Sequence, residues 1–465
     1  MLINPKIFKN YDIRGIYPTD INENNFSPVI KSIFNYFIGK LKKQSLTVVL
    51  GRDMRLSSPV LFKIAKKTLI EMGADVIDIG LSSTPSVYFS VLHYKYDVGI
   101  QISASHSTKE WNGIKFCYRN GNKLVKISKI TGMDEVKNIA LSGKFTTLGK
   151  TGSVVKKNTL KDEIDFAFSL VNPKNISKIK VVADAANAMG ALYLEEIFNK
   201  VPARLIKMNF TLDGSFPSHQ ADPLQFKTLA DLQKKVIEEK ADLGICPDGD
   251  GDRVFFIDEK GKIIPATIIT ALVAREILKN KKDEKILFDV RYTRNVTNSI
   301  KNEGGVSIPT KVGHALITES LNRVGGAFAG ESSGHFYFRE TGGAESSIRV
   351  ILYVLETRCR EKKPMSSIVK ELTSSVESGE TNFILPKGIV VEDMLQSIAL
   401  IYKKGKTFWL DGLSIDFPDW RFNIRYSSND SLLRLNVEGD YPEIVSSRFE
   451  DLKRIILKTG AIVKE

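Results

Sequence analysis

Three segments of the chain share one pattern of apolar and polar positions. In each segment a short apolar run ends in an aspartate, and a stretch with helical spacing follows. A later apolar run then leads into a polar loop, which in two of the three segments contains glycine. The aspartates are Asp53, Asp184 and Asp289, and the later loops lie at residues 103–106, 248–253 and 330–335. This alternation of strand and helix patterns predicts three α/β units of one kind.

The last part of the chain, from about residue 374, has a different pattern. Short strand-like runs at residues 407–410, 421–424 and 432–437 precede one closing helical stretch. This order predicts a smaller α+β domain after three similar α/β domains with mixed sheets. The expected domains are residues 1–150, 151–257, 258–373 and 374–465. Loops outside the carboxyl ends of strands bind ligands in such folds, so the chemistry is expected there.

Composition indicates an ordinary globular protein. The chain has 465 residues, 42% of them hydrophobic and 26% charged, and is too long for a single core. Its first residues contain no apolar segment typical of secretion, and no apolar run is long enough to cross a bilayer. Cys117, Cys246 and Cys359 lack metal-ligand spacing, so we expect reduced thiols. A cytoplasmic location and no membrane partner are therefore expected.

The charge balance narrows the class of partner. An excess of 67 Lys and Arg over 54 Asp and Glu gives a net charge of +13, which suits nucleic acid, a membrane surface or anionic metabolites. The lysines are scattered in pairs without a basic tail or interleaved aromatics, and this distribution disfavours the first two partners. We expect small phosphorylated molecules as partners, and a monomer or weak dimer.

The most informative motif is an acidic loop at residues 248–253. Asp248, Asp250 and Asp252 alternate with glycines between two apolar runs, so a solvated surface loop is disfavoured. A calcium loop of the EF-hand type would match these aspartates and Glu259, but Arg253 replaces its glycine and strands replace its helices. Three close carboxylates repel one another unless a cation neutralises them. The loop therefore predicts a catalytic divalent-metal site, with Arg253 available to a phosphoryl group.

A serine loop follows a strand in the first unit. Extended backbone would place Ser105 and His106 on opposite faces, so a hydrolase triad is disfavoured. A serine that carries a phosphoryl group needs a metal and cations more than a base. Lys115 and Arg14 could supply these cations, although a surface charge is an equal alternative for each.

Two further loops carry polar groups suited to a sugar phosphate. Extended backbone would place Glu331, Ser333 and His335 on one face, where Glu331 could accept hydrogen bonds from sugar hydroxyls and His335 could move protons. His314 gives a weaker signal upstream. Arg425 precedes small hydroxyl and amide residues that could clamp a phosphate, although a plain polar turn fits almost as well.

Taken together, these loops resemble those of the α-D-phosphohexomutase family, in the same order along essentially the whole chain. The phosphoserine, metal, sugar-binding and phosphate loops of that family are matched by residues 103–106, 248–253, 330–335 and 425–431. Residues 11–15 are similar to another family signature, and residues 417–423 look most like the phosphomannomutase/phosphoglucomutase branch. The resemblance implies four domains around a central cleft.

The chain departs from the family pattern at a few positions. Ser107 and Thr108 stand where the family usually has Asn-Pro, and Asn429 and Ser431 stand where it usually has Thr and Pro. Arg291 matches a position that is commonly lysine, which preserves the charge but not the geometry. None of these changes removes the nucleophile or a metal ligand.

The resemblance implies an isomerase that interconverts hexose 6-phosphate and hexose 1-phosphate, of mannose, glucose or both. Phosphorylated Ser105 would give its phosphoryl group to the sugar and recover the other phosphate of a bound hexose 1,6-bisphosphate, which also serves as activator. Mg²⁺ would be held by Ser105, Asp248, Asp250 and Asp252, with Arg253 assisting the transfer.

The other roles are also implied by the resemblance. The candidates for proton handling are Lys115, Arg14 and His335. The candidates for substrate binding are Tyr11, His314, Glu331, Ser333, His335, Arg425, Ser427, Ser428 and Asn429.

Three alternatives stay open at this point. The serine loop would also suit a phosphoglucosamine mutase. A non-catalytic metal-binding or sugar-phosphate-binding protein could keep the pocket while Ser107, Thr108 and Asn429 mark its decay. A nucleic-acid-binding protein rests on net charge alone.

Overall fold

The structure, a computed structural model, describes residues 3–427 and 431–464. Ser428 and Asn429, which the sequence suggests for phosphate binding, therefore lie outside the described residues. The described chain forms two compact units, which consist of residues 1–264 with 333–366 and of residues 265–332 with 367–465.

The first unit begins with a mixed sheet. Its strands are β1 (Ile13–Ile16), β2 (Thr47–Arg52), β3 (Asp75–Leu81), β4 (Val98–Ile102), β5 (Trp111–Asn120), β6 (Lys123–Lys126) and β7 (Val154–Lys156). The strand order is β1-β5-β4-β2-β3-β7, with β6 on β5. Strands β4, β2, β3 and β7 are parallel, and β5 is antiparallel to β4.

Helices cover this sheet. They are α1 (Glu23–Leu41), α2 (Ser58–Met72), α3 (Thr84–His93) and α4 (Asp134–Ser142). Asn22 begins α1 with a capping box, because its side chain accepts from the Asn25 backbone while the Asn25 side chain accepts from the Asn22 backbone. Gly73 ends α2 in the left-handed conformation, which costs glycine little. Helices α1, α2 and α4 share one core with the sheet, whereas α3 packs with Val49, Ile77 and Cys117 in a separate cluster.

Residues 158–264 form a second mixed sheet with its helices. Its elements are α5 (Leu160–Val171), β8 (Lys180–Asp184), α6 (Gly190–Lys200), β9 (Arg204–Met208), α7 (Ala230–Glu238), β10 (Leu243–Pro247), β11 (Val254–Asp258) and β12 (Ile263–Ile264). Strands β9, β8 and β10 are parallel, whereas β11 and β12 continue the sheet antiparallel. The buried strands predicted on both sides of the acidic loop are confirmed as β10 and β11.

The third α/β segment begins in the second unit. Its elements there are α8 (Ala266–Asn280), β13 (Lys285–Asp289), α9 (Arg294–Asn302), β14 (Val306–Thr310), α10 (His314–Val324) and β15 (Phe328–Gly330). Strands β14, β13 and β15 are parallel. The following residues belong to the first unit and form β16 (Phe336–Phe338), β17 (Ala344–Glu345) and α11 (Ser347–Glu361), with β16 antiparallel to β17.

The C-terminal part of the second unit is an antiparallel sheet with helices. After α12 (Met365–Leu372) come β18 (Val376–Glu377), β19 (Thr381–Ile384), α13 (Val391–Ile401), β20 (Lys406–Phe408), β21 (Leu413–Asp416), β22 (Trp420–Ser427), β23 (Leu432–Gly439), α14 (Pro442–Leu457) and β24 (Ile462–Val463). The order is β20-β21-β22-β23-β19-β24, with β18 on β23. The α+β prediction is confirmed, while α13 and the strands β18, β19, β21 and β24 were not predicted. None of the helices in the described part of the chain is both long and apolar enough to span a membrane.

An aspartate at the carboxyl end of one parallel strand has the same structural role in each α/β segment. Asp53, Asp184 and Asp289 each accept a hydrogen bond on Oδ1 from the backbone N–H two residues later, at 3.1, 2.9 and 2.9 Å. Such a turn fixes the backbone as it leaves the sheet. The recurring sequence pattern therefore marks three loops that are held at the carboxyl ends of their strands.

One buried carboxyl links the first sheet's helix layer to α5. Glu163 on α5 accepts a hydrogen bond from the Ser86 hydroxyl on α3. Burial raises the pKa of Glu163 to about 7, and the Ser86 hydrogen bond opposes this only partly. The protonated form is therefore favoured in the folded protein under mildly acidic conditions.

We expect Glu163→Gln to reduce the pH dependence of stability. Because the folded pKa of about 7 lies above the ordinary 4.5, the stabilisation from protonated Glu163 is complete below pH 4.5 and is lost as the pH rises to about 7. Glutamine cannot ionise, so the variant should be more stable than wild type at pH 8. Thermal unfolding between pH 5 and pH 8 measures this, with exposed Glu238→Gln as control. Parallel curves for wild type and Glu163→Gln would contradict the prediction.

Candidate active site

The acidic loop between β10 and β11 forms a buried cluster of carboxylates. One oxygen from each of Asp248, Asp250 and Asp252 lies within 4.8 Å of the others. Gly251 has φ +75°, a conformation that suits glycine, and allows the loop to turn between the last two aspartates. Gly249 approaches the serine loop so closely that an added Cβ would lie 2.4 Å from the Ser105 carbonyl oxygen. The glycines thus permit both the turn and the contact.

The carboxylate cluster fits a hard divalent cation. Its donors are carboxylate oxygens, which Mg²⁺ and Ca²⁺ prefer. Asp250 Oδ1 is buried and has no hydrogen-bond partner in the described part of the chain. Burial, together with the charges of Asp252 and Asp250, raises the pKa of Asp248 well above its usual range. A bound cation would compensate this repulsion and satisfy the unpaired oxygen.

The Ser105 hydroxyl lies directly against this cluster. Ser105 Oγ donates a hydrogen bond to Asp248 Oδ2 at 3.0 Å, although the two residues are far apart in the sequence. The Ser105 side chain is buried, and its backbone N–H donates to Ser103 Oγ at 2.9 Å. The structure thus brings the sequence-predicted nucleophile and metal loop together within the first unit.

The predicted separation of Ser105 from His106 is wrong. Ser105 has φ +52°, so the backbone is left-handed here rather than extended. As a result, Ser105 Oγ and His106 Nδ1 lie 3.2 Å apart. Burial and the charges of Arg253, Arg14 and Lys115 lower the pKa of His106 well below its usual range. A neutral imidazole therefore borders the hydroxyl.

Lys115 and Arg14 both lie against the serine and metal loops, Lys115 buried and Arg14 partly buried. Lys115 Nζ lies 2.6 Å from Asp250 Oδ2 and 2.6 Å from Asp252 Oδ2. Burial alone would lower the pKa of Lys115, but the charges of Asp250 and Asp252 outweigh it and raise the pKa. Arg14 on β1 donates from Nη1 to Ser107 Oγ at 3.0 Å and pairs with Asp12. Two cations thus flank the serine loop and the metal loop.

Arg253, His335 and Ser333 form a second contact group in the first unit. His335 Nε2 lies 3.3 Å from Arg253 Nε and 3.1 Å from Asp252 Oδ1. Ser333 Oγ is 3.1 Å from His335 Nδ1. The expectation of an extended backbone here is wrong, because the chain turns and Gly334 has φ +87°. His335 thus reaches the metal loop.

In the second unit, Glu331 is held by an arginine. Arg291 Nη2 donates to Glu331 Oε1 at 3.3 Å, and Arg291 Nε donates to Asp289 Oδ1 at 3.0 Å. Asp289 Oδ2 also accepts from the Ser332 backbone N–H at 2.6 Å. The strand-end aspartate therefore fixes both the arginine and the start of the polar loop.

A carboxylate joins this group to the predicted phosphate-binding arginine. Glu380 Oε2 lies 3.8 Å from Arg291 Nη1 and 3.8 Å from Arg425 Nη2. Glu380 Oε1 accepts from Arg434 Nη1 at 3.2 Å. Arg425 is buried on β22, where burial and the charge of Arg291 lower its pKa. One network thus connects Glu331 and Arg425 within the second unit.

The remaining sequence-predicted residues lie next to or at the ends of helices and strands. Tyr11 precedes β1 in the first unit. His314 begins α10 after Gly313, and Ser427 ends β22, both in the second unit. Their positions at element ends agree with the expected location of binding loops.

The sequence alone did not single out several residues that support the site. Thr84, at the start of α3, donates its hydroxyl to Asp250 Oδ2 and its backbone N–H to the Asp250 carbonyl at 2.9 Å. The Ser83-Thr84-Pro85 pattern is typical of a helix start and could have predicted α3, but not this contact. Behind the metal loop, Lys126 pairs with Glu345 in a fully buried ion pair.

The sequence also matches a described protein family in three places. Residues 5–138 match alpha/beta/alpha domain I of phosphoglucomutase/phosphomannomutase, residues 158–261 match domain II and residues 266–376 match domain III. The chain belongs to this family. The predicted resemblance to the α-D-phosphohexomutases and the predicted fold class are thereby confirmed.

Individual relatives extend the likeness over nearly the whole chain. A phosphomannomutase of Methanocaldococcus jannaschii is 33% identical over 458 residues, with 98% of each chain covered. A phosphomannomutase of Escherichia coli (strain K12) is 33% identical over 449 residues, with 94% of this chain and 95% of that protein covered. Members of this family are mutases, so the prediction of an enzyme of the isomerase class is confirmed.

Solved structures share the fold. A phosphoglucomutase/phosphomannomutase family protein from Burkholderia thailandensis is similar with a TM-score of 0.88 and 26% identity, covering 99% of this chain and 100% of that chain. An N-acetylphosphoglucosamine mutase from Aspergillus fumigatus has a TM-score of 0.60 and 12% identity, covering 93% and 97% of the two chains. At that identity the second likeness concerns the fold alone.

Proposed function

We propose that the protein interconverts hexose 6-phosphate and hexose 1-phosphate by way of a phosphoserine at Ser105. The contact that carries this proposal is the 3.0 Å hydrogen bond between Ser105 Oγ and Asp248 of the carboxylate cluster. In the first transfer, the bond from phosphorus to Ser105 Oγ would break as a sugar hydroxyl oxygen bonds to phosphorus. The hydroxyl would lose its proton to a nearby base, and a bound hexose bisphosphate would result. In the second transfer Ser105 Oγ would bond to the other phosphorus as its bond to the sugar oxygen breaks, and that sugar oxygen would regain a proton.

Residues of the first unit would handle the reacting charge. Asp248, Asp250 and Asp252 would hold Mg²⁺, which when bound supplies positive charge to the phosphoryl oxygens. Arg253 would donate hydrogen bonds to the same oxygens. Lys115 would give a proton to a sugar oxygen rather than accept one, because the two carboxylates beside its ammonium group raise its pKa and keep it protonated.

Residues of the predicted sugar-binding and phosphate-binding loops would bind the parts of the substrate that do not react. Glu331 would accept hydrogen bonds from sugar hydroxyls, because Arg291 and Asp289 hold its position. Arg425 would bind the non-reacting phosphate, together with Ser427 and the neighbouring Ser428 and Asn429, which lie outside the described residues. His335 and Arg14, near the serine and metal loops, remain further candidates for moving protons.

Mannose phosphates are the proposed preferred substrates. The curated relatives named phosphomannomutase are similar to this chain over almost its whole length, at 33% identity for two of them. Glucose phosphates are proposed as additional substrates, since the matched family includes phosphoglucomutases. Hexose 1,6-bisphosphate would serve as activator by phosphorylating Ser105. A cytoplasmic location stays a prediction.

A coupled assay on the purified wild-type protein tests this function. We expect turnover of mannose 1-phosphate and glucose 1-phosphate that requires Mg²⁺ and a trace of hexose 1,6-bisphosphate. Glucosamine 1-phosphate should be a poor substrate. Exclusive turnover of the amino sugar would move the protein to the glucosamine branch, while metal-dependent ligand binding without turnover or phosphate on Ser105 would indicate a non-catalytic binder.

A further inference from the structure

Arg55 is a large buried side chain that the proposed chemistry does not use. It follows β2 and is completely buried, with 0% of its surface exposed. A guanidinium group cannot shed its charge readily, so it is buried only where ion pairs and hydrogen bonds compensate it. The groups that compensate Arg55 therefore indicate what its burial accomplishes.

The hydrogen bonds of Arg55 converge on the serine loop. Nη2 donates to the carbonyl oxygens of Ser105 at 2.7 Å and Ser107 at 2.6 Å. Nη1 donates to the carbonyl oxygens of Thr108 at 2.7 Å and Trp111 at 3.0 Å. A single side chain thus binds four carbonyl groups within residues 105–111.

The position of the guanidinium is itself fixed. Arg55 Nε lies 3.2 Å from Asp53 Oδ2 in a fully buried ion pair, and Asp53 Oδ1 accepts from Ser58 Oγ at 2.6 Å. The Phe216 ring lies 5.3 Å from the guanidinium carbon. Because Asp53 directly follows β2, Arg55 transmits the position of β2 to the serine loop.

This loop needs external support. Ser105 has φ +52°, a conformation that L-amino acids with a Cβ rarely adopt. The one carbonyl in residues 105–108 that Arg55 does not bind is that of His106, and it accepts from Gln220 Nε2 at 2.7 Å. A proline at position 108 would restrict the loop backbone, but this chain has Thr108 there. Side chains from outside the loop therefore hold its strained backbone.

We propose that Arg55 is a positioning residue that holds the backbone of Ser105 in the conformation needed for phosphoryl transfer. The effect of Arg55 on phosphoryl transfer rests on the proposed function, whereas its effect on the backbone of Ser105 does not. Lysine cannot replace Arg55, because an ammonium group is a point charge and cannot span four carbonyl oxygens as a planar fork does. Arg55 acts through the loop and does not contact the reacting atoms.

The test compares Arg55→Lys with Arg349→Lys, a change at another buried arginine of the first unit. Arg349 pairs with Glu340 and stacks on Phe338, so its replacement controls for the loss of a buried guanidinium. Hydrogen–deuterium exchange of the full chain reports on the amides of residues 103–108, and steady-state assays give kcat and KM.

In Arg55→Lys we expect exchange in residues 103–108 to become at least about tenfold faster. We expect kcat to fall on the order of 10²-fold with KM within about threefold, since a misplaced nucleophile loses rate and not substrate affinity. Arg349→Lys should leave exchange of this segment unchanged. Unchanged exchange in folded Arg55→Lys, or a loss confined to KM, would overturn the inference.

Asp53→Asn provides a second variant if Arg55→Lys does not fold. It removes the charge that orients Arg55 and keeps a similar shape, so we expect exchange and kcat to change in the same directions by roughly three- to tenfold. Wild-type values for both quantities would overturn the inference. If wild-type protein has no mutase activity, the proposed function fails, while the exchange comparison still decides the role of Arg55.

Discussion

Ser105→Ala is expected to reduce mutase turnover on the order of 10⁴-fold or more. The substitution removes the oxygen that would carry the phosphoryl group, and the contact with Asp248 disappears with it. The coupled assay with mannose 1-phosphate, Mg²⁺ and hexose 1,6-bisphosphate measures the loss. Mass spectrometry of the intact protein after incubation with the bisphosphate should detect one phosphoryl group on wild type and none on the variant.

Ser107→Ala is the matched control in the same loop. Ser107 Oγ accepts a hydrogen bond from Arg14, whereas Ser105 Oγ donates to the metal loop, so Ser107 is the alternative hydroxyl for phosphorylation. We expect the Ser107→Ala variant to be phosphorylated normally and to lose less than about tenfold in turnover. The opposite result, with Ser105→Ala active and Ser107→Ala unphosphorylated, would transfer the nucleophile to Ser107.

The sequence predicted those parts of the site that depend on local spacing. Asp248, Asp250 and Asp252 lie within five consecutive residues between two buried strands. Their carboxylates are therefore close together because the residues are close in the sequence. The serine loop could be located in the same way, because it follows the apolar run of β4. Local order also predicted the three α/β segments and the different C-terminal domain.

The parts that the sequence did not predict depend on contacts between distant residues. Arg55 binds the carbonyls of a loop some fifty residues later, and nothing near Arg55 in the sequence indicates this. Glu380 likewise meets Arg291 and Arg425 only in the folded second unit. A charged residue on a loop has the same local pattern whether it is exposed or buried against a distant partner.

The failed expectation about Ser105 and His106 has a conformational cause. A strand pattern predicts alternation of side chains, but a single residue with positive φ reverses the relation between neighbours. Ser105 adopts that conformation although it is not a glycine, so the sequence did not predict a positive φ at this position. Strain of this kind concentrates at functional sites, where the surrounding structure holds it.

The metal loop gives the second prediction with a large effect. Asp248→Asn and Asp252→Asn should each reduce turnover on the order of 10³-fold, because each removes a negatively charged ligand from the proposed Mg²⁺ site. The same variants should abolish most of the increase in thermal stability that Mg²⁺ gives wild type. Unfolding monitored with and without Mg²⁺ measures this effect.

Without a divalent cation, the two variants should change stability in opposite directions. Asp248 makes its hydrogen bonds with the Ser105 hydroxyl and the Arg253 backbone, while burial and the charges of Asp252 and Asp250 raise its pKa. A folded-state pKa above the unfolded value means that ionised Asp248 costs stability near neutral pH. The Asp248→Asn substitution removes that charge, so the unfolding midpoint in chelator should rise by roughly 2–4 °C.

Asp252 has the opposite environment. Burial would raise its pKa, but Lys115 at 2.6 Å and His335 at 3.1 Å outweigh burial and lower the pKa. Asp252→Asn leaves the buried ammonium of Lys115 undercompensated, so the midpoint in chelator should fall. A fall in both variants would mean that charge repulsion at Asp248 is minor. Retention of the Mg²⁺ effect in both would mean that the cation binds elsewhere.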